Sequence, residues 1–131
     1  MNDDPATLRQ QASDLRAQAS TARAEASSHA SEAREKEARA AMSDVPDETV
    51  LLESQAHGHH SDEDAANATA DDLERQAAGL DAQAETRSMQ LASEADDRDR
   101  EASRIAVEGD DMAADAASRD ADEIRRRASG V

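Results

Sequence analysis

Alanine recurs at every seventh position from Ala12 through Ala19, Ala26 and Ala33 to Ala40. Such a repeat marks a helix that buries one narrow stripe, because 3.6 residues per turn nearly realigns the first and fourth positions of each heptad. Leu8, Leu15 and Ala22 supply the second row of the stripe, which His29 and Lys36 continue. A stripe this thin and this small admits only another narrow helix face, at the low end of the usual spacing of about 8–10 Å.

Composition removes the alternatives. The chain has 131 residues, enough for one domain, and contains no Phe, Trp, Tyr or Cys. Seven Leu, two Ile, four Val and four Met supply all of its large apolar volume. Leu, Ile and Val together fall well below the roughly one-fifth share under which disorder becomes the default. Alanine makes up most of the 37 % hydrophobic content. A buried Leu-sized side chain contributes about 1.5–3 kcal/mol, and a single CH₂ about 0.8 kcal/mol, so alanines build no globular core. The expected fold is all-α. It is an elongated helical hairpin or a two-to-three-helix coiled-coil-like bundle with alanine-rich seams and a partly disordered loop, forming one helical unit over 1–131.

Local signals divide that unit. Asp4 can cap a first helix over 5–42, and Pro5 suits its first position. Glu32 with Lys36 and Glu35 with Arg39 have helix-supporting spacing. Ser43-Asp44-Val45-Pro46 ends it, because a residue before proline avoids the α region. Residues 43–61 read as an acidic, histidine-bearing loop with room for a short helix over 46–56. Val50, Leu51 and Leu52 form the densest apolar triplet in the chain and a candidate docking patch. A second helix is expected over 62–108, with Ser61 as its cap. Its seam runs through Ala66, Leu73 and Leu80 in one row, drifting to Ser88, Ala95 and Ala102. Ala70, Ala77, Ala84 and Leu91 form the other row, followed by Arg98 and Ile105. Gly79 sits within this helix. Gly109 breaks it, and a third helix over 111–128 carries Met112, Ala116, Ala117, Ala121, Ile124 and Ala128 on one side. Packed antiparallel across the loop, Ala33 and Ala40 would lie near Ala66, Ala70 and Leu73. Leu8 and Leu15 would lie near the distal part of the second helix.

The chemistry-bearing residues are few. His57, His59 and His60, with Glu53, Asp62, Glu63 and Asp64 nearby, are weak metal candidates of the kind that suit Zn²⁺, Ni²⁺ or Cu²⁺. Their spacing matches no standard site, and a solvated loop explains them as well. His29, on the inner row of the first helix, is either a register-setting polar residue or one tolerated at a loose seam. Carboxylates are everywhere, yet nothing in the composition builds a pocket wall that would shift their pKa values. There is no GxSxG, P-loop or GxGxxG motif. No catalytic residue and no cofactor are expected, and the chain does not read as an enzyme.

Charge sets the partners. The formal net charge is −16, and residues 43–64 contain no Lys or Arg. Nucleic acid and anionic membrane surfaces would be repelled. No stretch is long and apolar enough to span a bilayer, and the N-terminus lacks the features of a signal peptide. The absence of cysteine fits a reducing cytoplasm. The expected function is that of a structural or adaptor protein acting through helix–helix association, with itself or with a larger protein. In composition alone, being alanine-rich, charged and free of aromatics, the chain resembles late-embryogenesis-abundant-type proteins. That resemblance implies an alternative: a largely disordered, stress-protective chain that folds on binding or drying. Metal handling by the His57–His60 loop and acidic mimicry of nucleic acid are lesser readings.

Overall fold

The computed structural model describes residues 4–107, 109 and 111–130. These form three helices and no strand: α1 (Pro5–Met42), α2 (Pro46–Val107) and α3 (Asp111–Ser129). The all-α expectation holds, and α1 has the bounds that its flanking signals predict.

Helix ends follow from local chemistry. The Leu8 N–H donates to the Asp4 carbonyl at 3.1 Å, which places Asp4 at the cap and Pro5 where its missing N–H has no cost. Only residues 43–45 separate α1 from α2. There the Ser43 hydroxyl accepts the Val45 N–H at 3.2 Å. The Val45 carbonyl accepts both the N–H and the hydroxyl of Thr49, at 3.0 and 3.2 Å. Pro46 again occupies the first helical position, and Asp47 and Glu48 in the first turn favour the positive end of the helix dipole. Gly109, at φ +91°, follows the end of α2, and its N–H donates to the Ala106 carbonyl. Gly130, at φ +77°, closes α3 through the Arg127 carbonyl. Both are left-handed positions that glycine takes without strain.

The expected loop over 43–61 is overturned. Residues 46–61 are helical, His57-Gly58-His59-His60 included, so α2 is one helix from Pro46 and does not begin at residue 62. Packing explains why. Leu52 and Ala56 on one side of the glycine, and Ala70 on the other, are buried in one continuous heptad phase. Burying Leu52 contributes about 1.5–3 kcal/mol. A mid-helix glycine costs about 1 kcal/mol against alanine. The seam outweighs the breaker. Position 108, where the sequence reading ends the second helix, lies outside the described residues.

Contacts gather into two units: Asp14–Gln76, and Met1–Ser13 with Ala77–Val131. Within Asp14–Gln76, α1 and α2 pack antiparallel around the three-residue turn. Ala19, Ala22 and Ala70 form the buried cluster, with Leu73 against it. Arg23 holds the register from outside. Its Nε and Nη2 donate to the two Glu74 carboxylate oxygens at 3.0 and 2.9 Å. Nη2 also donates to Asp71 at 2.8 Å and Nη1 to Asn67 at 3.5 Å. This register differs from the expected one. Ala70 and Leu73 meet Ala19 and Ala22, and not Ala33 and Ala40, because the turn is three residues long instead of about twenty.

In the other unit, Leu91, Ala95, Ala121 and Ile124 form the buried cluster, with Ala128 against it. Arg125 ties α3 to α2 through Asp96 at 3.0 Å and through Asp99. The Ser88 hydroxyl donates to the Ala128 carbonyl at 2.8 Å, satisfying one of the open carbonyls at the end of α3. The first turns of α1 dock here as well. Arg9 donates to Ser88 at 3.3 Å, and Arg127 donates to Asp4 at 3.0 Å.

Candidate functional site

The seam of α2 can be read backward in sevens. Leu80, Leu73 and Ala66 lead to His59 and Leu52, and Ala84, Ala77 and Ala70 lead to Glu63 and Ala56. His59 is therefore a seam residue of α2, as His29 is of α1, and both are half-buried. Antiparallel packing brings the two rings together, with centroids 5.9 Å apart and planes tilted by 30°. Nδ1 of each ring is shielded from solvent and makes no hydrogen bond. Glu32 Oε2 lies 3.1 Å from His59 Nδ1, close enough for an ion pair but off the line a hydrogen bond needs. Asp62, one turn beyond His59, is exposed, and donor atoms of His29, His59 and Asp62 all fall within 4.8 Å of one another.

His60 meets two other carboxylates. Its Nε2 donates to Glu37 at 2.5 Å, and its Nδ1 lies 3.3 Å from Glu63. Glu37 first, then Glu63, raises the His60 pKa above its ordinary 6.5. His57 is exposed and stands outside the donor group. Of the three histidines singled out from the sequence, only His59 shares a donor group, and its partners are His29 and Asp62.

No protein-family model, curated protein or solved structure matches the chain.

Burial varies along the residues that the heptad reading names as seam. Leu8, Ala12, Ala19, Ala22, Ala26, Ala33 and Ala40 are buried on α1, and Ala70, Ala77, Ala84 and Leu91 on α2. Leu15, Ala66, Leu73, Leu80 and Ile105 are half-buried. After Leu91 the buried row steps by four to Ala95 and then to Ala102, so Arg98 falls outside it and pairs with Glu101 at 3.3 Å. On α3, Ala121 and Ile124 are buried, whereas Met112 is exposed. The apolar triplet splits. Leu52 belongs to the seam at 5 % exposure, while Val50 and Leu51 remain 66 % and 57 % exposed. Met42 and Val45, at the end of α1 and in the turn, are 84 % and 52 % exposed. Sequence reasoning missed the pairing of His29 with His59. The signal was present: two rows of sevens that run through the histidine segment without a change of phase.

Proposed function

We propose that the chain is a non-catalytic structural or adaptor protein that acts by helix–helix association with a second protein, another copy of itself included. The observation that carries this reading is the exposed apolar group at the hairpin turn. Met42, Val45, Val50 and Leu51 all face solvent within ten residues of chain. Covering a Leu- or Val-sized side chain contributes about 1.5–3 kcal/mol, so this group is where a partner gains most. Asp44, Asp47, Glu48 and Glu53 are interspersed among and just beyond these positions in sequence, with no Lys or Arg between residues 43 and 64. A helix with an apolar stripe and a basic rim is its complement.

The rest of the molecule supports a role without catalysis. No polar or charged side chain is buried among the described residues. Catalytic carboxylates are commonly raised in pKa by desolvation. Glu74 is instead lowered, by its hydrogen bonds to Arg23. No helix among the described residues is long and apolar enough to cross a membrane. The net charge of −16 disfavours nucleic acid.

Sedimentation over a concentration series, combined with in-cell cross-linking and mass spectrometry, tests the reading. The native chain should self-associate or cross-link to a partner through residues 42–51. A Val50→Ser, Leu51→Ser double variant should stay helical and lose that association. A native monomer with no cross-link at the turn, or an undiminished double variant, would contradict it.

A further inference from the structure

His29 and Glu32 lie one turn apart on α1, and His59 and Asp62 lie one turn apart on α2. Side chains three positions apart share a helix face. Each arm of the hairpin therefore carries one imidazole and one carboxylate, and antiparallel packing sets the two pairs opposite each other. The rings approach to 5.9 Å. Donor atoms of His29, His59 and Asp62 lie within 4.8 Å of one another, and Glu32 Oε2 stands 3.1 Å from His59 Nδ1.

Nδ1 of both histidines is closed off from water and without a hydrogen-bond partner. Buried polar atoms are almost always partnered. A Lewis acid held between the rings satisfies both nitrogens. Two neutral imidazoles and two carboxylates also carry together the charge that balances a divalent cation. Imidazole nitrogens select first-row transition metals, whereas Ca²⁺ and Mg²⁺ prefer oxygen alone.

We propose that His29, Glu32, His59 and Asp62 bind one divalent transition-metal ion of the zinc class, which staples α1 to α2 within Asp14–Gln76. Zinc holds nitrogen ligands at about 2.0–2.1 Å, which sets the corners of a tetrahedron about 3.3 Å apart. Asp62 is exposed, so its carboxylate can swing into place without disturbing the alanine seam. Ala26 and Ala33, buried on the same face of α1, keep the backbones close enough for short side chains to converge.

The full-length protein, stripped with a chelator, is titrated with Zn²⁺ by calorimetry and with Co²⁺ by visible absorption. One ion per chain is expected, with the intense bands of tetrahedral Co²⁺ and a Tm that climbs with added zinc. His29→Leu places the residue favoured at such seam positions, so the hairpin stays folded while affinity falls on the order of 100-fold. Asp62→Asn weakens binding as well, and His57→Ala leaves it unchanged. Absence of one-to-one binding at roughly micromolar zinc overturns the proposal. So does undiminished binding by His29→Leu, or loss of binding in His57→Ala, which would assign the ion to the histidine run of α2 alone. Circular dichroism accompanies each variant, and Asp62→Asn decides if His29→Leu loses helix.

Discussion

Among the described residues, Leu91 is the largest side chain whose exposure is nearly nil, and it packs among alanines and Ile124. In so thin a core one leucine carries a large share of the apolar burial. Leu91→Ala should cost about 2–5 kcal/mol, read as a lowered denaturant midpoint; a change under about 1 kcal/mol would mean that the cluster is not packed as described. Glu74 gives the acid limb of stability. The Arg23 guanidinium holds its carboxyl below the ordinary 4.5 in the folded chain. A depressed folded pKa contributes stability that is present above the unfolded value and lost as pH falls through the folded one. The native Tm should therefore drop more steeply below about pH 4.5 than that of Glu74→Gln, and the two curves should converge in acid. Parallel curves would show that the fork of hydrogen bonds does not form in solution.

At the scale of elements, α1 is legible because strong local signals bracket an unbroken heptad: Asp4-Pro5 before it and Ser43 to Pro46 after it. The start of α2 is less so. Gly58, three histidines and a plausible cap at Ser61 read together as a loop, yet each is only a weak local preference. The burial of Leu52 and Ala56 overrides them. The error spread to the site. A loop of about twenty residues implies a register in which His29 and His59 never meet, whereas a turn over 43–45 places them ring to ring. Gly58 tests the corrected element. A Cβ added there meets nothing within 4 Å, so Gly58→Ala should stabilise by about 1 kcal/mol with a gain in helix signal. No gain would return the segment to a loop. The seam is tested by Ala26→Leu, which should cost about 1–3 kcal/mol by overpacking, read from thermal melting. A neutral or favourable effect would place Ala26 on a solvent-facing row.

For the whole molecule, the scarcity of large apolar residues confines apolar burial to narrow seams, and a net charge of −16 leaves the outer faces solvated. Each unit combines a small alanine-based cluster with ion pairs at its border, through Arg23 in one and Arg125 in the other. Within Asp14–Gln76, α1 and α2 form an antiparallel hairpin around three residues. Methyl-labelled alanine and leucine allow that register to be read directly by nuclear Overhauser spectroscopy, in dilute protein and without substitution. Cross-peaks should join Ala19 and Ala22 to Ala70 and Leu73. Cross-peaks joining Ala33 or Ala40 to Ala66, Ala70 or Leu73 would contradict it.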